Sequence, residues 1–191
     1  MNDTPYRFLQ LSDSPLLDSY KKDRDLTRKF VYADIGCKLL KPEISEFFIS
    51  RNLFPEIGNL WARPPNDLPT LYHTDRIKIE GEPNIEVAIN WLLAGEPGLT
   101  QWCYAAKEDK AMSGAYGFAK FPSEWYYRRV PPEFTTVLNR PMLTRVDIPH
   151  IVNTTGTSTI RLSYSLRFKD NPTWDYCVEQ LKDIILAEDL N

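Results

Sequence analysis

Alternation of polar and apolar side chains over residues 159–168 is the feature that most restricts the fold of this chain. A period of two is typical of a β-strand, in which successive side chains point to opposite faces. One face of this segment carries Arg161, Ser163, Ser165 and Arg167, and the other carries Leu162, Tyr164, Leu166 and Phe168. Exposure to solvent is the usual explanation of a polar face. If helices cover the apolar face instead, the polar face lines an internal cavity.

The same period of two recurs from residue 68 onward and predicts further strands. The segments with strand patterns are 85–93, 99–105, 116–121, 134–138, 142–148 and 159–168. A turn signal from Gly95 to Gly98 follows the first of these segments, so we expect the second to return beside it. Many short strands separated by turns are typical of a β-sandwich or barrel.

Helical patterns lie on either side of the strands. Pro42 suits the first turn of a short helix that extends to about residue 51. Near the C-terminus, Asn171 can cap a second helix and Pro172 fits its first turn. The apolar residues of that helix recur at helical spacing: Trp174, Val178, Leu181 and Ile185.

These patterns predict one domain that is mainly β with flanking helices. Its parts are loops and a helix over residues 1–67, a jelly-roll core over 68–168, and a C-terminal helix over 171–188. Helices at both ends of the strand region would cover the outer face of the barrel.

Charge and cysteine content limit the classes of partner. The formal net charge of −3 gives no electrostatic support for binding to nucleic acid or to a membrane surface. No apolar segment approaches membrane-spanning length. Cys37, Cys103 and Cys177 include no CxxC pair, so reduced thiols explain them better than disulfides. We therefore expect a soluble cytoplasmic protein with no membrane partner, and nucleic acid is not favoured.

The chain has two histidines, and both lie where a metal site needs them. His73 and Asp75 are two residues apart, so they point to the same side of a strand. His150 would complete the set from another part of the chain. Two imidazoles and one carboxylate leave three positions of an octahedron open, as in non-haem iron(II) sites. A surface histidine and aspartate near a strand end is the alternative explanation of the triplet alone.

The ordered set of His73–Thr74–Asp75, His150 and Arg161–Leu162–Ser163 resembles the HxD…H…RxS pattern of the 2-oxoglutarate/iron(II)-dependent dioxygenase superfamily. The resemblance is to its small, prolyl-hydroxylase-like members and spans roughly residues 70–168. It implies a double-stranded β-helix, which is a cupin-like jelly roll, with iron(II) and 2-oxoglutarate as cofactors. Ile151 departs from the basic residue that many members carry after the second histidine.

The resemblance also implies residue roles. The catalytic, iron-binding residues would be His73, Asp75 and His150. The distal carboxylate of 2-oxoglutarate would be bound by Arg161 and Ser163. The candidates for holding the other end of 2-oxoglutarate, or for gating the pocket, are Asn90, Tyr72 and Tyr104. Ordinary packing is the alternative for the two tyrosines.

The activity implied is hydroxylation of a substrate C–H bond, in which 2-oxoglutarate and O2 are consumed to succinate and CO2. The substrate itself is unknown from the sequence, and a peptidyl residue or a small molecule is favoured by analogy. Residues 125–129 fit either a substrate-contacting loop or an edge strand.

Three other functions stay open on the sequence. A cupin-like metalloenzyme that does not use 2-oxoglutarate has no reason to carry Arg161 and Ser163. A non-enzymatic jelly-roll binding or structural protein would make the two histidines incidental. A zinc hydrolase needs a general base near the metal, and the sequence offers no obvious one.

Overall fold

The computed structural model describes residues 4–21, 31–34, 37–67, 71–75, 85–104, 110–113, 125–128 and 131–187. Within these ranges the chain forms strands and two α-helices. In chain order, the strands are β1 (Tyr6–Phe8), β2 (Val31–Asp34), β3 (Pro55–Arg63), β4 (Leu71–Thr74), β5 (Val87–Ala94), β6 (Leu99–Trp102), β7 (Lys110–Ser113), β8 (Trp125–Arg128), β9 (Phe134–Thr136), β10 (Met142–Arg145), β11 (His150–Asn153) and β12 (Arg161–Phe168). The helices are α1 (Pro42–Ile49) and α2 (Trp174–Leu181).

Two antiparallel six-stranded sheets make up the framework. The strand order is β1-β10-β5-β12-β3-β2 in the first sheet and β7-β8-β4-β11-β6-β9 in the second. The chain crosses from one sheet to the other between β3, β4, β5 and β6, and again between β9, β10, β11 and β12. This alternation is the connectivity of a jelly roll. The prediction of a mainly β fold with flanking helices is therefore confirmed.

Strand β6 shows why the crossing matters. The turn through Gly95 and Gly98, both at positive φ, is present where the sequence predicts it. The strand that follows does not return beside β5. It pairs with β11 and β9 in the second sheet, because the chain crosses over at this turn.

The apolar face of β12 packs outward against the helices, as its sequence predicts. Phe168 contacts Phe48 of α1 edge to face, with ring centroids 5.3 Å apart. Cys177 and Leu181 of α2 belong to the same buried cluster as Leu166. All eight residues of β12 are buried, so its polar face must be enclosed as well. That enclosed face positions the candidate site between the two sheets.

Residues 1–67 differ from the prediction of loops and one helix. Strand β3 lies inside the first sheet between β12 and β2, and β1 lies at its far edge. The jelly-roll core thus begins at Pro55 and not at residue 68. Consecutive residues Gly58, Asn59 and Leu60 are all buried, because the middle of β3 is covered on both faces. Such a strand lacks the polar–apolar alternation by which strands are recognised in sequence.

Helix α1 begins where the sequence predicts, whereas α2 differs from its prediction in length and in its N-cap. Helix α1 begins at Pro42, as predicted. Helix α2 begins later and ends earlier than the predicted range 171–188, and its N-cap is Thr173, whose side chain accepts a hydrogen bond from the Tyr176 amide. Asp170 and Asn171 have φ of +62° and +44°, which places them in a left-handed turn before the helix. The prediction of Asn171 as the cap is therefore wrong.

The region before β9 tests two further predictions. Residues 125–128 form β8, which lies between β4 and β7, so this segment is a strand but not an edge strand. The predicted strand at 116–121 falls outside the described residues.

Among the described segments, no helix combines the length and apolar character that spanning a membrane requires.

Candidate metal centre

His73 and His150 face each other across neighbouring strands. They are register partners in the antiparallel pairing of β4 with β11. Their ring centroids are 4.5 Å apart, and both rings line the cavity between the sheets. Strand pairing therefore brings together two histidines that are far apart in sequence.

Asp75 completes the group from the end of β4. Its Oδ1 lies 3.7 Å from Nε2 of His73, on the same side of the chain, as spacing by two residues predicts. One potential ligand atom from each of His73, Asp75 and His150 lies within 4.8 Å of the others. The set is two imidazoles and one carboxylate arranged to bind one ion, and this donor set suits a divalent transition metal.

The local environment keeps both imidazoles neutral at neutral pH. Burial, and then the proximity of His73, lowers the pKa of His150 to about 4. Burial also lowers the pKa of His73, and this effect exceeds the opposing attraction of Asp75. Nδ1 of His150 lies 2.9 Å from the carbonyl oxygen of Ile148. Because a carbonyl only accepts, Nδ1 carries the hydrogen and Nε2 keeps a lone pair for a metal ion.

Arg167 holds the carboxylate of Asp75. Its Nη2 donates to Oδ2 of Asp75, and both side chains are largely buried. Burial alone raises the pKa of Asp75, but the guanidinium and the two imidazoles outweigh it, so the pKa falls below its ordinary value. Asp75 is consequently ionised, with Oδ2 bound by arginine and Oδ1 near His73.

Arg161 and Ser163 enter the same cavity from β12. Nη1 of Arg161 donates to Oγ of Ser163 at 2.8 Å, and Arg161 is only 5% exposed. Its Nε has no hydrogen-bond partner among the residues described. Burial and then Arg63 lower the pKa of Arg161 to about 9, so it stays charged at neutral pH. A buried cation with unused donors favours an anionic ligand.

The cavity draws its lining from both sheets and has an empty volume of about 720 Å³, its open mouth included. The side chains of Arg161, Ser163, Ser165 and Arg167 all line it, as the polar face of β12 predicts. Apolar residues line much of the rest, among them Leu138, Met142, Val146 and Val152, together with the polar side chains of Asn90, Thr100 and Thr144. A few charged and polar groups in a largely apolar cavity are typical of a small-molecule site.

Of the other three predicted site residues, Asn90 lies in the cavity and the two tyrosines do not. Asn90 lines the cavity, and its side-chain amide donates to Oγ1 of Thr144 at 3.0 Å. Tyr72 does not line the cavity, because it precedes His73 in β4 and points to the opposite face, against Cys103 and Ile151. Tyr104 follows β6 on the surface, is 47% exposed and packs on Phe134. Neither tyrosine lines the cavity, so the prediction that they hold the other end of 2-oxoglutarate is corrected, and gating of the pocket stays a prediction.

Two arginines of the site were not predicted as functional residues. Arg167 appeared in the sequence only as part of a polar face, and its pairing with Asp75 depends on contact between the two sheets. Arg63 lay in a segment predicted as a loop. It becomes part of the cavity because β3 pairs with β12. The alternation of β4 was the available signal against Tyr72, since adjacent strand residues cannot both face the cavity.

No family model matches the chain, and no curated protein matches it either.

Proposed function

We propose that this protein is an iron(II)- and 2-oxoglutarate-dependent oxygenase that hydroxylates a C–H bond of its substrate. One observation carries the proposal: the His73, Asp75 and His150 cluster and the Arg161–Ser163 pair face the same cavity. The first set suits the metal, and the second suits a carboxylate some distance from it.

The cofactors supply the oxidising chemistry: iron(II) and 2-oxoglutarate together activate O2, and 2-oxoglutarate leaves as succinate and CO2. The chain contributes binding and orientation. His73, Asp75 and His150 would hold iron on one side and leave its other side open. Arg161 and Ser163 would fix the distal carboxylate of 2-oxoglutarate, and Arg167 would orient the carboxylate of Asp75.

The charges in the cavity argue against a zinc hydrolase. Among the described lining residues, Asp75 is the one carboxylate, and it belongs to the metal cluster. The remaining charged lining residues are Arg63, Arg161 and Arg167, and a guanidinium group donates hydrogen bonds but does not serve as a general base. An oxygenase of the proposed type needs no such base, because the cofactors carry the reaction.

The same charges argue against a purely structural jelly roll. Burying a guanidinium group that is left incompletely paired costs several kcal/mol. Arg161 and Arg167 each retain a buried nitrogen without a hydrogen-bond partner within the described part of the chain. A framework protein would fill this space with apolar side chains.

As substrate we propose a peptidyl side chain or a small molecule, by analogy with compact members of the superfamily.

Metal-dependent binding of 2-oxoglutarate tests the proposal. We expect the purified protein to bind one Mn(II), as an air-stable substitute for iron(II), and then to bind 2-oxoglutarate much more tightly than the metal-free protein. The reason is that 2-oxoglutarate needs both the metal and Arg161. Calorimetric titration measures both steps, with His73→Ala as the variant that should lose them. Equal binding of 2-oxoglutarate with and without metal would contradict the proposal.

A further inference from the structure

Arg63 lies directly opposite Arg161 in the first sheet. The two residues are register partners in the pairing of β3 with β12, and both line the cavity. Directly opposed residues on one face of an antiparallel pair have Cβ atoms about 4.5–5.5 Å apart. Two guanidinium groups therefore share one end of the site.

This arrangement is unfavourable without an anion. Like charges in opposed positions destabilise a sheet, and burial strengthens the repulsion. Arg63 donates through Nη1 to Oδ2 of Asp67 at 2.6 Å, but the side chain of Asp67 is 38% exposed, so water weakens this compensation. Arg161 is bonded to the neutral hydroxyl of Ser163 and has a buried Nε without a partner among the described residues.

We infer that Arg63 binds the distal carboxylate of 2-oxoglutarate together with Arg161, so that two arginines and Ser163 form this end of the co-substrate site. The inference rests on the proposed function. A carboxylate has two oxygens, and each can accept from a different guanidinium. Placed between Arg63 and Arg161, it removes their repulsion and occupies the donors that the protein leaves unused.

A consequence for ligand selection follows. The two arginines act only on a carboxylate that reaches past the metal, so they favour 2-oxoglutarate over ligands that merely chelate the ion. Oxalate is such a ligand, because both of its carboxylates are consumed in chelation. Arg63 is thus expected to affect the binding of 2-oxoglutarate and not that of oxalate.

The test compares these two ligands by calorimetric titration of the Mn(II)-loaded protein. We expect Arg63→Gln to weaken 2-oxoglutarate binding about tenfold, as loss of one charge-assisted hydrogen bond predicts, and to leave oxalate binding unchanged. Arg63→Lys keeps the charge without the planar fork and should lose only part of that factor. Arg51→Gln is the matched control, because Arg51 forms a similar ion pair with Asp183 at 2.7 Å outside the cavity.

The outcomes separate the inference from the proposed function. If the unmodified protein binds 2-oxoglutarate and Arg63→Gln binds it equally well, the role of Arg63 is wrong while the proposed function stands. If Arg63→Gln weakens both ligands alike, Arg63 maintains the shape of the site and the inference is again overturned. If the unmodified protein binds no 2-oxoglutarate, both conclusions fail together.

Discussion

His150 and His73 are paired residues of two adjacent antiparallel strands, with their rings 4.5 Å apart inside the cavity. Their relative position is set by backbone hydrogen bonding between β4 and β11 and not by a loop. Sites supported by regular strands hold their geometry more closely than sites on loops. The metal-binding arrangement therefore depends on the register of the second sheet.

Replacement of His73 and of Asp75 should have different effects on folding. His73→Ala should abolish metal binding and leave the free energy of unfolding little changed, because a half-buried ring is removed from a cavity. Asp75→Ala should abolish metal binding and also destabilise the protein by about 3–5 kcal/mol, because Arg167 loses its buried partner. Denaturant unfolding and metal titration measure the two effects. Asp75→Asn, which keeps an acceptor for Arg167, is the control and should unfold with a smaller loss than Asp75→Ala.

Arg161 should control the affinity for 2-oxoglutarate. We expect Arg161→Ala to weaken its binding about 30-fold or more, since loss of one partner of a buried charge pair costs roughly 2–5 kcal/mol. Arg161→Lys should restore part of the affinity, because it keeps the charge and loses the fork that also bonds Ser163. Calorimetric titration of the metal-loaded variants measures this. An unchanged affinity in Arg161→Ala would remove Arg161 from the co-substrate site.

The stability of the metal-free protein should fall as the pH is lowered from about 6.5 to about 4. In the folded protein the pKa of His150 is lowered to about 4, by burial first. The unfolded chain has ordinary histidines with pKa near 6.5, so it binds more protons in this interval and is favoured by acid. For such a group, the free energy of unfolding should change by up to about 1.4 kcal/mol per pH unit.

Urea unfolding at a series of pH values measures this slope. His150→Gln, which cannot titrate, should show a shallower dependence than the unmodified protein. The same slope in both proteins would mean that His150 does not carry the effect.

The turn at Gly95 should be intolerant of any side chain. Gly95 has φ of +78°, and a Cβ there would lie 1.9 Å from the carbonyl oxygen of Ile160. Gly156 has φ of +82° with nothing within 4 Å of its Cβ position, so it isolates the cost of the backbone conformation. We expect Gly95→Ala to cost about 1–3 kcal/mol more than Gly156→Ala, because of the added steric conflict. Thermal or denaturant unfolding of both variants checks the difference.

The parts of the site that were predictable are those encoded locally. The two faces of β12 follow from strict alternation, so the cavity position of Arg161 and Ser163 could be predicted before any pairing was known. The triplet of His73 and Asp75 also depends only on strand geometry over three residues. In each case the two-residue alternation of a β-strand determines the direction in which the side chain points.

The parts that were missed depend on contacts between distant segments. Arg63 joins the site only because β3 pairs with β12, and β3 is buried on both faces at its centre. The ion pair of Arg167 with Asp75 joins the two sheets, so neither sequence segment indicates it alone.

Anaerobic absorption spectroscopy tests the central claim most directly. Purified protein would be titrated with iron(II) and then with 2-oxoglutarate, and His73→Ala would be treated in the same way. We predict a weak visible charge-transfer band in the unmodified protein after 2-oxoglutarate is added, and no band in the variant. The reason is that only an intact centre binds iron(II) and 2-oxoglutarate together. Absence of the band from the unmodified protein, with no iron bound, would contradict the assignment as an oxygenase.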